Sequence, residues 1–377
     1  MRLHASPASM RISIPTEIAP REHRVALAPD SAGRLVKSGL EVVVQHGAGL
    51  HAGFRDDAYT AAGASVIPDG RQLLSDADVV VKVQPPTSDE VSLMKRGTSL
   101  ISLMRPGQHQ EVASALAQHD INALALELVP RITRAQSMDV LSSQSTVAGY
   151  KAVLLGAAEL GKFLPMLTTA AGNISPARVF VIGAGVSGLQ AIATARRLGG
   201  VVSAFDVRPA AREQVQSLGA TFVATELVSA SAESAGGYAR AQTNEEQQRT
   251  LAAIAGHIKD VDLVITTAQV PGRRAPTLIT ADMVRTMRAG SVIVDLAVET
   301  GGNCELSKVG ETVHAHDVAI LGPVNLPSSV AFHASQMFGR NILALLQHLV
   351  KDGALVIDPA DEITGAMLMV YQGKVLK

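Results

Sequence analysis

Residues 183–188 read Gly-Ala-Gly-Val-Ser-Gly, a G-x-G-x-x-G spacing. Val179-Phe180-Val181-Ile182 before it suits a buried strand, and residues 189–198 carry helical patterning. In that strand–turn–helix setting Gly183 permits the tight turn and Gly185 lets the backbone approach a pyrophosphate. Gly188 allows the helix to pack closely on the strand. The anion then meets unpaired N–H groups at a helix N-terminus. The chemistry this implies is dinucleotide binding. Asp206 ends the next strand-like run, about 20 residues after Gly183. A carboxylate there accepts from a ribose 2′-OH and repels a 2′-phosphate, which favours NAD(H) over NADP(H). Arg208 pulls the other way, since a guanidinium assists a phosphate; the strand-end Asp206 is weighed as the stronger. Gln269 follows another strand-like run at its carboxyl end, where open α/β sheets bind ligands.

A second segment is unusually polar. Residues 130–145 hold Arg131, Thr133, Arg134, Gln136, Ser137, Asp139, Ser142 and Gln144 among few apolar side chains. Two readings stand at this point. The donors and acceptors suit a carboxamide and a ribose, or the run is a solvated linker ending in a capped helix start. Residues 230–250 are also polar, and a loop of that length inside a compact domain is usually functional or disordered. Other groups read as inert. His314 and His316 have same-face strand spacing, but no further ligands converge on them and no metal site is expected. The single Cys304 excludes an internal disulfide and reads as a small reduced core residue.

The elements that position these residues follow from the alternation of short β-branched runs with helical stretches. Strands are expected at Arg11–Ile14, Glu41–Gln45, 78–83, 99–103 and 122–126, with helices such as 29–38 and 110–119 between them. A second series runs through 179–182, 201–205, 221–224, 263–266, 291–295 and 319–321. Such alternation means parallel sheets with crossover helices. The fold class is therefore α/β, with two Rossmann-like, doubly wound parallel-sheet domains joined by long helices. The first domain is expected to be discontinuous, residues 1–140 plus 331–377, with no glycine fingerprint. The second is the NAD-binding domain, 165–328. Residues 141–164 and 331–349 are read as the connecting helices.

Composition limits the function. The chain has 377 residues, 47% of them hydrophobic but only 3% aromatic, with no Trp and 32 Gly. Small apolar side chains suit helices packed on parallel strands. They do not suit a nucleic-acid binder that stacks bases on aromatic platforms. Lys and Arg number 33 against 34 Asp and Glu, so no attraction to phosphate backbone or anionic lipid follows, and no nucleic-acid partner is expected. No window offers the ~18 apolar residues of a membrane span, so no direct membrane insertion is expected. Residues 1–10 read as a frayed extension rather than a signal peptide.

Taken with the 183–188 fingerprint and Asp206, the 130–145 segment and Ala235-Gly236-Gly237-Tyr238 resemble the NAD(H)-binding component of proton-translocating transhydrogenases. The resemblance runs from Arg11 to about Tyr371. It includes Glu17 and Arg24-Val25-Ala26, Lys82-Val83-Gln84 and the 294–303 stretch Val-Asp-Leu-Ala-Val-Glu-Thr-Gly-Gly-Asn. Much of this pattern is shared with alanine dehydrogenase. The transhydrogenase resemblance implies that Arg131, Gln136 and Asp139 lie at the nicotinamide and form the catalytic set. It implies that Ile132, Thr133, Leu141, Ser142, Val186, Ser187 and Val207 also contact the cofactor. It further implies that a mobile loop containing Gly237 and Tyr238 closes over it. Alanine dehydrogenase uses a catalytic His where this chain has Leu103. Arg24 and Lys82 match its substrate-acid residues, but transhydrogenases retain both, and here they read as mainly structural.

The activity implied is direct hydride transfer from NADH to NADP⁺ held by a partner subunit, coupled to proton movement by membrane-spanning subunits. The protein is then an enzyme only with those partners, cytoplasmic and peripheral to the inner membrane through them, and a homodimer. The alternatives are a free-standing alanine dehydrogenase and a non-catalytic NAD(H)-sensing module. From Asp206, NADH should bind at least about tenfold tighter than NADPH by calorimetry, and Asp206→Ala should narrow the gap; equal affinities in the parent chain would remove the ribose argument.

Overall fold

The computed structural model describes residues 9–228, 240, 242–269 and 273–377. Gly237 and Tyr238, and most of the N-terminal extension, lie outside the described residues. The chain divides into two compact units. The first is Met1–Gln144 with Ser328–Lys377, and the second is Ser145–Pro327.

The first unit is built on an eight-stranded sheet. Its order is Lys374–Val375, Leu368–Tyr371, Asn122–Ala125, Ser99–Ser102, Val79–Val81, Arg11–Ile14, Glu41–Gln45 and Ser65–Ile67. The last six of these pair in parallel, for example Ile14 with Val44 and Val80 with Leu100. Val79, Val80 and Val81 are fully buried, the mark of a central parallel strand covered on both faces. The faces form separate cores. One gathers Ile12, Val79 and Val81 with Phe338, Ile342 and Leu346 of the Ala331–Leu349 helix. The other gathers Val80, Leu100 and Ala123 with Leu73, Val91 and Leu116.

The second unit holds a seven-stranded sheet. Its order is Thr221–Phe222, Val201–Phe205, Arg178–Ile182, Leu263–Thr266, Val292–Asp295, Val318–Leu321 and Thr312–Ala315. The chain starts at Arg178–Ile182, builds outward on one side, then returns to build on the other. The topological switch therefore lies between Arg178–Ile182 and Leu263–Thr266, at whose carboxyl ends such sheets bind ligands.

The two parallel sheets each carry antiparallel pairing at one edge. Leu368–Tyr371 runs antiparallel to Asn122–Ala125 and to Lys374–Val375, and Thr312–Ala315 runs antiparallel to Val318–Leu321. Both hairpins turn on two residues of positive φ, Gln372 and Gly373 in one, His316 and Asp317 in the other. Two consecutive left-handed residues match the twist of a tight hairpin. His316 thus occupies a turn while His314 lies in the strand, so the same-face spacing read from sequence does not hold.

Two further boundaries differ. The long helix spans Val140–Glu159 rather than reaching residue 164, with the helix breakers Gly161 and Pro165 following. A small hairpin follows, Leu167–Thr169 with Gly172–Ile174. The polar stretch 230–250 ends in a helix, Asn244–Ile258. Thr243 and Glu246 form its capping box, a signal that polar composition masked. Among the described residues, no helix is long and apolar enough to cross a membrane.

The Val140–Glu159 helix shows why small residues matter. A Cβ on Gly149 would lie 2.0 Å from the Ser187 carbonyl oxygen, and one on Gly156 would lie 2.4 Å from Leu263 Cδ1. Backbone therefore meets backbone beside the fingerprint helix. Gly149→Ala should destabilise the chain by about 1–3 kcal/mol through overpacking. It should also weaken dinucleotide binding by displacing Ser187, as read by urea denaturation and calorimetry; unchanged values would show that the contact relaxes freely.

Candidate functional site

In the second unit, the fingerprint glycines have distinct reasons for being glycine. Gly183 has φ +96°, and its Cβ would lie 2.7 Å from Thr267 Oγ1. Gly188 packs so closely that its Cβ would lie 1.8 Å from the Gly183 carbonyl oxygen. Protein packing demands both. Gly185 differs, because only Arg208 Nη2, at 4.0 Å, comes near the place its Cβ would take. No packing requires glycine there, whereas a ligand lying on that backbone would. The Val186–Arg197 helix begins immediately after it, with Val186 exposed and Ser187 half-buried beside it. These residues fit a dinucleotide pyrophosphate.

Asp206 is buried at the end of Val201–Phe205, 7% exposed. Its Oδ2 accepts from the Ala184 N–H at 2.7 Å and from Arg208 Nη2 at 2.9 Å. Its Oδ1 accepts from the Arg208 N–H at 2.9 Å and from Arg208 Nε at 3.0 Å. The carboxylate thus ties the glycine turn to the following loop and holds the guanidinium folded upon itself. A ribose hydroxyl gains a place on Asp206 only in exchange for one of these donors. Val207 between them is half-buried.

Two groups that sequence reasoning did not single out hold the neighbouring loops. Asp295 is fully buried and accepts from Thr266 Oγ1, Ser307 Oγ and the N–H groups of Ala297, Asn303 and Cys304. Asn303, also fully buried, donates to the Ala268 and Pro276 carbonyls and accepts from the Ala268 N–H. Together they fix the start and end of the 268–276 loop. Gln269 lies on that loop, exposed, with Nε2 donating to the Leu296 carbonyl at 3.1 Å. The signal available in sequence was a strand-end Asp followed by Gly-Gly-Asn.

In the first unit, the 131–142 segment is a surface loop on a buried base. Arg131, Thr133 and Gln136 are exposed, Ile132 is half-buried, and Ala135 and Met138 point into the core. Asp139 caps the helix that follows. Its Oδ1 accepts from the Ser142 N–H at 2.9 Å and its Oδ2 from Ser142 Oγ at 2.6 Å. Leu141 stands exposed on the first turn. The segment is thus both a capped helix start and a platform carrying polar side chains outward.

The same unit contains a buried network of charges. Arg24, 4% exposed, pairs with Glu22 through Nε and Nη2 at 2.7 and 2.6 Å and donates to Gln144 Oε1 at 2.9 Å. Lys82, 1% exposed, lies 2.7 Å from Glu90 and 3.6 Å from Glu17. Gln84 donates to Glu22 at 2.7 Å. Leu103 packs half-buried against the adjoining core. Burial pushes the Glu17 carboxyl above its ordinary 4.5, against the pull of Lys82 and the Val83 and Gln84 N–H groups.

The comparisons with known proteins accord with this architecture. The models described as alanine dehydrogenase/PNT N-terminal and C-terminal domains match residues 13–148 and 152–377. The chain belongs to the alanine dehydrogenase/PNT family. Within the family, it is 48% identical to an NAD(P) transhydrogenase alpha-subunit chain of Rhodospirillum rubrum, over 97% of this chain and 98% of that one. It is 32% identical to the alanine dehydrogenase of Halomonas elongata, over 97% and 94%. Among solved structures, a transhydrogenase from Sinorhizobium meliloti matches with TM-score 0.88 at 44% identity, covering 97% of this chain and all of that one. An L-alanine dehydrogenase matches with TM-score 0.80 at 28% identity, covering 97% of each.

The raised Glu17 value has a consequence for stability. A carboxyl that binds its proton more tightly folded than unfolded contributes stability that is full below pH 4.5 and lost as pH rises through the raised value. Glu17→Gln imitates the protonated form. Its thermal midpoint should match the parent near pH 5 and equal or exceed it at pH 8; a variant less stable than the parent mainly at pH 8 would show that the ionised form is the favoured one.

Proposed function

We propose that this chain is the NAD(H)-holding component of a proton-translocating transhydrogenase. When bound, NADH supplies a hydride to NADP⁺ carried by a partner subunit. The exchange breaks one C–H bond and forms another, so no N–H or O–H bond changes and no general acid or base is required. What remains for the chain is positioning. The 183–188 turn and the start of the Val186–Arg197 helix would hold the pyrophosphate, with Ser187 beside it. Asp206, with Val207 and Arg208, would select the ribose of NAD(H) over a 2′-phosphate. Arg131, Gln136 and Asp139 would orient the nicotinamide, with Ile132, Thr133, Leu141 and Ser142 completing the contact; Gln269 is also proposed as a cofactor contact. Gly237 and Tyr238 would cover it.

One observation carries the choice between the family's two branches. At the end of Ser99–Ser102, Leu103 presents an apolar side chain packed on the core. Reductive amination moves protons to and from nitrogen and oxygen and needs a titratable group in reach of the imine. Leucine supplies none there. The higher identity to transhydrogenase alpha subunits than to alanine dehydrogenases supports the same reading. Under it the chain is a homodimer that meets an NADP(H)-binding subunit and membrane-spanning subunits, and reaches the inner membrane from the cytoplasm through them.

The purified chain should show no pyruvate-dependent oxidation of NADH in the presence of ammonia, and should transfer hydride when an NADP(H)-binding transhydrogenase subunit is added. Gln136→Ala should slow that transfer more than it weakens NADH binding. Alanine dehydrogenase turnover at enzymatic rates, or inertness with the partner present, would overturn the proposal.

A further inference from the structure

The Ala331–Leu349 helix is a core element of the first unit, with Phe338, Ile342, Leu345 and Leu346 all fully buried. Asn341 stands among them, 8% exposed. A buried amide in such a helix is unfavourable unless its donors and acceptor are used. Both ends are used, one on the loop and one on the helix that follows it. Asn341 Nδ2 donates to the Ser137 carbonyl at 2.7 Å, and Oδ1 accepts from Ser143 Oγ at 2.7 Å. The amide therefore bridges the 131–139 loop to the helix that follows it.

The loop needs such a support. Thr133–Met138 is a six-residue 3₁₀ run, longer than the three or four residues that this geometry usually sustains. Ala135 and Met138 anchor it by burial, and the Asn341 bond fixes the carbonyl between Gln136 and Asp139. Gln136 is then flanked by a buried neighbour on one side and a bonded carbonyl on the other, and its freedom reduces to its own side-chain torsions. A second tether is more exposed. Arg134 Nη2 pairs with Glu362 at 2.9 Å and its Nη1 with Asp361 at 3.6 Å, where solvent screening keeps the contribution small. An aliphatic side chain at position 341 would make neither bond.

We propose that Asn341 is a positioning residue for the 131–139 loop, setting the backbone from which Gln136 acts. This rests on the reading of that loop as the nicotinamide platform. Two variants test it. Asn341→Leu removes both bonds and keeps an apolar volume. Asn341→Asp keeps an acceptor for Ser143 and loses the donor to Ser137, so it stands in if the leucine variant fails to fold. Backbone amide exchange in the free chain is measured first, since it does not depend on any activity. Exchange at residues 134–139 should quicken at least about tenfold, while the central strands keep their protection. In the complex with the NADP(H)-binding subunit, hydride transfer should then fall at least about tenfold while the NADH dissociation constant moves less than about threefold. Unchanged exchange across 134–139 in a folded variant overturns the proposal. So does faster exchange with full hydride transfer, provided Gln136→Ala slows transfer in the same assay. If Gln136→Ala has no effect, it is the nicotinamide reading that fails, and the exchange result still decides whether Asn341 fixes the loop.

Discussion

The second unit depends on how closely two pieces of backbone can approach. The fingerprint helix sits so near the strand before it that a single methyl on Gly188 would meet the Gly183 carbonyl oxygen at 1.8 Å. Gly149 brings the long helix equally close to Ser187 from another direction. These contacts aim the first turn of the Val186–Arg197 helix, and with it the N–H groups suited to an anion. A chain with 3% aromatic residues and 32 glycines has the composition for such packing. Gly185 shows the complement, since its space is left open by the protein itself.

Buried polar side chains do for the loops what glycines do for the helix. Asp295, Asp206, Asn303 and Asn341 are each 8% exposed or less, and each directs hydrogen bonds to backbone at the end of a sheet or beside a loop. An unsatisfied carboxylate or amide in these positions would cost roughly 1–3 kcal/mol or more, so the loops are held to the places where those bonds close. The charged network of Glu17, Glu22, Arg24, Lys82 and Glu90 follows the same logic in the first unit. Its cations are balanced by carboxylates of the same unit, and its acids accept N–H groups of the Val83–Gln84 segment. This fits a structural role for Arg24 and Lys82 in this chain.

Much of the fold was legible because parallel strands buried on both faces read as continuous apolar runs. Val79-Val80-Val81 and Val179-Phe180-Val181-Ile182 are such runs, and they alternate with helical stretches. The antiparallel edges were not legible. Gln-Gly and His-Asp are weak turn signals, and their positive φ follows from the strands that pair around them. The Asn244–Ile258 helix was hidden because its capping box sits inside a polar stretch. The strand–turn–helix of the glycine fingerprint, the strand-end Asp206 and the polar loop at 131–142 were legible as local features. The pairing of Asp206 with Arg208 and the hold of Asn341 on Ser137 were not.

The α/β class, the strand–turn–helix at 179–198 and the polar loop at 131–142 can be read from the chain alone. Each is a local pattern of residue size, polarity and spacing, which neighbouring residues alone can encode. Which polar groups are already engaged depends on the folded arrangement. Asn341 lies 204 residues from Ser137, and Asn303 lies 35 from Ala268. Such partners meet only when the sheets form. The need to satisfy a buried donor or acceptor then selects one loop geometry from the many that the local sequence permits.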